Sequence, residues 1–252
     1  MYSVLLVEDD PTIRFIYKTM KEWNRLGFKI EKEVEHGKSA LEALDEKKYD
    51  LVFTDVRMPV MNGIELVEKM NEKNYGNYVV IASNYDEFEY VRQGLRLGVA
   101  DYLVKPIPNT ELVRCLTNIR EKLDESNERS RVYEMFNACG LDVSQQFVRN
   151  LAEYYEKNID KECTLNELAE QFELSRDYFS KMFKSKTGLN YNQFATQYKM
   201  EQAKYMLKNE NYRIYEISEL LGYKTVDYFG KKFKEYTKMT PIQFKNIDTL
   251  TD

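Results

Sequence analysis

The chain has 252 residues, 43% hydrophobic and 31% charged, with a net charge of −5, which suits two ordinary globular domains of about 120 residues each. A single histidine, His36, argues against a histidine metal site or a Ser/Cys-His pair. Cys115, Cys139 and Cys163 lack metal-ligand spacing, and they read as buried thiols of a reducing compartment.

In chain order, β-rich runs at 3–8, 28–34, 50–54, 78–82 and 100–104 alternate with helical patterns at 12–25, 37–47, 62–73, 86–96 and 109–123. Five such βα units predict an α/β fold, a doubly wound parallel five-stranded sheet. The runs VLLV and YVVIA are continuously apolar, as strands covered on both faces require. The opening MYSVLLVEDD has no basic n-region, and no apolar run approaches the roughly eighteen residues that cross a bilayer. The expectation is a cytoplasmic protein with no membrane partner.

Chemistry concentrates where the runs end, since open α/β sheets build their sites at strand ends. Glu8 and Asp9 follow SVLLV, Asp55 follows LVFT, Ser83 follows YVVIA, and Lys105 follows ADYLV. Glu8, Asp9 and Asp10 are either a helix N-terminal acid cluster or, beside Asp55, a site for a hard cation such as Mg²⁺. In the second case Asp55 can attack phosphorus, with Lys105 stabilising the transferring oxygens. Ser83 either bonds a phosphoryl oxygen or caps the helix starting near Asp86. Tyr102 is either a core aromatic or a ring that turns inward when the site fills.

The blocks VLLVEDDP, TDVRMPVMNG, ASNYDEFEY and GVADYLVKP resemble, in order and spacing, the receiver domain of two-component response regulators over residues 1–123. The resemblance implies a (βα)5 receiver in which Asp55 accepts a phosphoryl group from a sensor histidine kinase. It also implies that Glu8, Asp9, Asp55 and the Arg57 carbonyl hold Mg²⁺. Ser83 and Tyr102 take the switch positions, Lys105 pairs with the phosphoryl group, and phosphorylation favours a homodimer. Phosphatases of the haloacid-dehalogenase type also phosphorylate an aspartate at a strand end, but they place a second acid two residues later, where this chain has Arg57.

Residues 124–145 are expected as a mostly helical linker, because REKLDESNERSRV is polar, mixed in charge and free of Gly and Pro. Charge is uneven across the chain. Residues 1–144 hold 20 basic and 26 acidic residues, while the remainder holds 17 and 16, with six lysines in 224–245.

From 146 to 252 the pattern is helical throughout, predicting an all-α domain with two helix-turn-helix motifs. Thr164 and Glu167 form a capping box before Leu165, Leu168, Ala169 and Phe172. After a turn at Leu174, the helix RDYFSKMFKSKTG carries Phe179, Met182 and Phe183 on one stripe, leaving Arg176, Asp177, Ser180, Lys181 and Lys184 outside. The pattern recurs about fifty residues on. Ile214, Ile217 and either Leu220 or Leu221 precede KTVDYFGKKFKEYTK, in which Phe229 and Phe233 repeat the aromatic spacing and Lys224, Thr225, Asp227, Lys231, Lys232 and Lys234 lie outside. Two recognition helices joined by one long helix can enter successive major grooves about 34 Å apart. The lysines would meet phosphates, while Arg176 and the polar side chains of each first turn would meet base edges.

FKSKTGLNYNQF, AKYML, IYEISELLGY, DYFGKKFK and MTPIQF resemble the AraC/XylS-type DNA-binding domain over residues 160–246. Three positions depart from that family's pattern. Lys199 stands where arginine is commoner, Gly230 replaces a usual serine, and Lys238 replaces a usual glycine, which puts the helix-end geometry there in question. The two resemblances together imply a phosphorylation-controlled transcriptional regulator rather than an enzyme. It would bind double-stranded promoter DNA, act as an activator and recruit RNA polymerase. Two rival readings are a constitutive DNA binder with the receiver as scaffold, and a receiver-linked interaction module that binds no DNA.

Overall fold

The computed structural model describes residues 1–84, 88–159, 161, 163–209 and 212–247. The chain divides into two compact units, Met1–Glu125 and Ser126–Asp252.

The first unit is built on parallel strands β1 (Tyr2–Val7), β2 (Phe28–Val34), β3 (Leu51–Asp55), β4 (Tyr78–Ser83) and β5 (Asp101–Val104), in the order β2-β1-β3-β4-β5. Helices α1 (Pro11–Thr19), α2 (Glu22–Arg25), α3 (Gly37–Glu46), α4 (Gly63–Lys73), α5 (Phe88–Arg96) and α6 (Asn109–Ala138) accompany it. The apolar runs are explained by two separate cores. Leu5, Val7, Val52 and Ile81 are buried in one, and Val4, Leu6, Phe53 and Val80 in the other, as the alternation of strand side chains dictates.

The helix expected over 12–25 is broken. Met20 is extended, at φ −66° and ψ 118°. The Trp23 indole is buried and donates to the Tyr17 carbonyl at 2.9 Å, the acceptor that a continuing helix would use for its own N–H. The break therefore turns the largest side chain of this segment into the core. The expected helix start near Asp86 lies outside the described residues.

The second unit contains part of α6 with α7 (Gln146–Lys157), α8 (Leu165–Gln171), α9 (Arg176–Thr187), α10 (Tyr191–Asn209), α11 (Ile214–Leu220), α12 (Val226–Thr237) and α13 (Pro241–Lys245). The segment expected as a linker over 124–145 is helical as far as Ala138. It is not merely solvated, however, because Val132, Met135, Phe136, Cys139 and Leu141 are buried with Leu151, Tyr155, Phe179 and Phe194. The second unit accordingly begins at Ser126. A second cluster gathers Met200, Ala203, Leu207, Ile217, Leu221, Phe229 and Phe233. Between the two leucines left open by the sequence, Leu221 is buried and Leu220 is exposed. Among the described residues no helix is long and apolar enough to cross a membrane.

Candidate functional site

β1, β3 and β5 end at the same end of the parallel sheet, with β4 between β3 and β5, and the residues at their ends, Glu8, Asp55 and Lys105, come to one place. Carboxylate oxygens of Glu8, Asp9 and Asp55 lie within 4.8 Å of one another. The Lys105 ammonium is 2.8 Å from Glu8 Oε2 and 3.0 Å from Asp55 Oδ2. Burial raises the Glu8 and Asp55 carboxyls above the usual carboxylate range, and the bonds to Lys105 offset part of that rise. Burial alone would lower the Lys105 ammonium, but Glu8 and Asp55 outweigh it and raise its pKa. The Tyr17 ring lies 5.9 Å from the same ammonium.

Asp10, which the sequence grouped with Glu8 and Asp9, does something else. Its carboxylate accepts from the backbone N–H of Thr12 at 2.7 Å and of Ile13 at 3.2 Å, capping α1. The cluster is thus Glu8, Asp9 and Asp55. Three carboxylates against one ammonium form an all-oxygen, net negative donor set, which fits a hard divalent cation better than a soft one.

The chain after Asp55 folds back tightly. Val56 N–H donates to Asp55 Oδ1 at 2.7 Å, and Gly63 N–H donates to the Val56 carbonyl at 2.8 Å. A Cβ on Gly63 would sit 2.1 Å from the Asp55 carbonyl oxygen, so only glycine fits there. Arg57 is exposed in this loop. At the end of β4, the buried Ser83 hydroxyl is hydrogen-bonded to the Tyr102 hydroxyl. The two switch candidates are therefore partners, and Tyr102 is half-buried on β5.

In the second unit each helix-turn-helix has the same construction. Phe179 and Phe183 of α9, and Phe229 and Phe233 of α12, are fully buried, so the opposite faces are outside. Arg176, Asp177, Lys181 and Lys184 are exposed, as are Lys224, Thr225, Asp227, Lys231 and Lys234. Ser180 is half-buried. Lys232 is half-buried too and is paired with Glu235 at 2.8 Å, which makes it the least available of the lysines. Thr225 caps α12 by accepting from Tyr228 N–H at 3.2 Å, and Ser175 caps α9 by accepting from Tyr178 N–H at 3.3 Å.

Sequence reasoning passed over Tyr178 and Tyr228. They occupy equivalent positions in the first turns of the two helices and are 59% and 53% exposed. The repeated DYF at 177–179 and 227–229 marks both positions in the sequence. Lys238 takes the left-handed conformation, at φ 67°, that Gly188 takes after α9. Its side chain donates to the Glu235 carbonyl at 2.9 Å, so the helix end keeps the glycine geometry.

Comparison with known proteins matches both halves. A family model of the response regulator receiver domain covers residues 4–117, and one of a helix-turn-helix domain covers residues 168–247. An uncharacterized response regulatory protein of Staphylococcus epidermidis is 28% identical, over 98% of this chain and 99% of its own length. The transcriptional regulatory protein HptR of Staphylococcus aureus is 26% identical, over 97% of this chain and 98% of its own length. Among solved structures, the receiver domain of AraT, a response regulator from Geobacillus stearothermophilus, is 34% identical with a TM-score of 0.47, covering 50% of this chain and 98% of that one. A receiver implies a sensor kinase as partner and a helix-turn-helix domain implies DNA, and proteins so built are regulators rather than enzymes. The chain belongs to the response regulators of two-component systems, a transcriptional regulator with a receiver domain and an AraC-type helix-turn-helix DNA-binding domain.

Proposed function

We propose that phosphorylation of Asp55 controls DNA binding by this chain. The observation that carries this reading is the Lys105 ammonium held between Asp55 and Glu8 at the strand ends. In the transfer from a histidine kinase, an Asp55 oxygen forms a bond to phosphorus as the phosphorus–nitrogen bond to the kinase imidazole breaks. The imidazole nitrogen keeps the electron pair and takes a proton. Lys105 supplies positive charge to the transferring oxygens. Glu8, Asp9, Asp55 and the Arg57 carbonyl would hold Mg²⁺, which when bound offsets the repulsion between the carboxylate and the incoming phosphoryl group.

Ser83 then exchanges its bond to Tyr102 for one to a phosphoryl oxygen, and Tyr102 repacks. The face formed by α5 and β5 favours a homodimer; its exposed Leu95 and Val104 offer apolar surface for one. A dimer presents two double-headed readers together, which raises site affinity through effective concentration. Lys181, Lys184, Lys224, Lys231 and Lys234, with Lys232 contributing less, contact phosphates. Arg176, Asp177, Ser180, Thr225 and Asp227 lie at base edges or order the first turn of each helix. The protein acts in the cytoplasm as an activator that recruits RNA polymerase; family resemblance supports that assignment.

Acetyl phosphate with Mg²⁺ tests the switch. Wild type is expected to gain one phosphoryl group by mass and to bind promoter DNA more tightly, whereas Asp55→Ala gains none. An unmodified wild type would overturn the reading, and equal DNA affinity in both states would leave a constitutive binder.

A further inference from the structure

The pairing of β1 with β2 and β3 ends at Val7. The next residue, Glu8, still donates its backbone N–H to the Val34 carbonyl at 3.0 Å, but its own carbonyl has passed the end of the ladder. That carbonyl belongs to the turn that carries two of the three clustered carboxylates, and Glu8 is buried. A buried carbonyl needs a donor, and α1 supplies it. Arg14 Nη1 donates to the Glu8 carbonyl at 2.6 Å.

The guanidinium is itself anchored. Its Nη2 lies 3.2 Å from a Glu35 carboxylate oxygen and its Nε 3.9 Å from one of Glu33, and the side chain is 16% exposed. Glu33 is held in turn by Lys18 at 2.5 Å. One planar fork thus ties the start of α1 to the end of β2 and to the Glu8 carbonyl, a geometry that a lysine ammonium does not reproduce. Arg14 forms no ion pair with Glu8, Asp9 or Asp55 among the described residues, so its bonded route to the cluster is the backbone. The Glu8 carbonyl and the Asp9 N–H share one rigid peptide plane. Fixing the carbonyl therefore fixes the direction in which the chain leaves toward Asp9. The bond has a charged donor, which makes it stronger than one between neutral groups.

We propose that Arg14 is a positioning residue for the cation site. By holding the turn between Glu8 and Asp9, it sets where their two carboxylates stand relative to Asp55. The proposal rests on the reading of Glu8, Asp9 and Asp55 as a Mg²⁺ site and adds the residue that shapes it. Three roles for Arg14 predict three different results. As a charge alone it repels a cation bound nearby, so its removal tightens Mg²⁺ binding. As a stabilising group alone it leaves the affinity unchanged. As a positioning residue it is needed for affinity, and its removal weakens binding although a positive charge has gone.

Thermal unfolding of the full chain against Mg²⁺ concentration, at constant ionic strength, tests this. The unfolding free energy without Mg²⁺ reads stability, and its rise with Mg²⁺ reads affinity. Arg14→Met is expected to need about tenfold more Mg²⁺ than wild type for the same rise. If Arg14→Met is not folded, Arg14→Lys decides. It keeps the charge but loses the fork, and it should need about threefold more Mg²⁺. Binding as tight as wild type, or tighter, in the folded variant overturns the proposal alone. A wild type that Mg²⁺ does not stabilise overturns the reading of the site, and the proposal with it.

Discussion

The Lys105 ammonium lies 3.0 Å from the Asp55 carboxylate, yet it does not bring that carboxyl down to the usual range. Burial is the larger effect, and Asp9 adds repulsion. Burial and Asp9 thus oppose the charged form of the candidate acceptor while Lys105 favours it, a balance found more often at functional sites than at stabilising ion pairs.

Asp55→Asn is expected to stabilise the receiver at pH 7 without Mg²⁺, since the amide carries no charge for burial to oppose. Because the folded chain holds the Asp55 proton more tightly than the unfolded chain, this group's contribution is full below the ordinary aspartate pKa. It is lost as pH rises through the higher folded value. The amide removes that loss. Calorimetric unfolding at pH 7 measures it, and a lower melting temperature for the variant would contradict the assignment. Added Mg²⁺ should stabilise wild type by about 1.4 kcal/mol at ten times its dissociation constant, and should stabilise the variant less.

Gly63→Ala is expected to cost about 3 kcal/mol, since the new methyl would meet the Asp55 carbonyl oxygen at 2.1 Å. The neighbouring chain must shift, carrying Asp55 with it. Denaturant unfolding gives the stability, and acetyl phosphate labelling should slow in the same variant.

Gly230→Ala should have the opposite sign. A Cβ there meets nothing within 4 Å, and the position lies inside α12, where alanine is favoured over glycine by roughly 1 kcal/mol. A gain of about 0.5 to 1 kcal/mol in urea unfolding is expected. A loss would mean that this surface of the helix is covered.

Replacing Lys181, Lys184, Lys231 and Lys234 together by alanine should flatten the dependence of log affinity on log salt by about three to four units, if each contacts one phosphate. Fluorescence anisotropy on one duplex at several salt concentrations reads this directly. Lys232→Ala alone should change the slope least, because Glu235 already holds it.

Cys139 is buried and its thiol is pushed up to about 12, by burial first and then by the Glu201 carboxylate. Above the pKa of a free thiol, the unfolded chain releases a proton that the folded chain keeps. Stability is thus undiminished below about pH 8.5 and falls as pH rises toward the folded value. Thiol reagents at pH 8 should label Cys139 only on unfolding, and mass spectrometry of native and denatured samples checks this.

The βα order, the strand ends and the candidate residues placed there were legible because a covered strand must be continuously apolar, so a polar residue after it marks the strand end. Glu8, Ser83 and Lys105 stand out that way, and Asp55 one position beyond the buried Thr54. The doubled helix-turn-helix was legible because Phe179 and Phe183 recur as Phe229 and Phe233 at helical spacing. Both are local patterns, and the sequence carries them without reference to distant residues.

The tertiary structure decided whatever depends on a partner far along the chain. Periodicity runs straight through Met20, and only the buried Trp23 indole, bonded to the Tyr17 carbonyl, explains the break. The polar run after Arg120 reads as a solvated helix, whereas Val132 and Phe136 find their core only among residues of α7, α9 and α10. Asp10 and Glu8 are equivalent acids in sequence; one caps a helix and the other lies buried, 1% exposed, against Lys105. Composition determines which residues can carry charge or fill a core, but the meaning of each charge is set by what packs around it, because burial and the nearest opposite charge govern its energy.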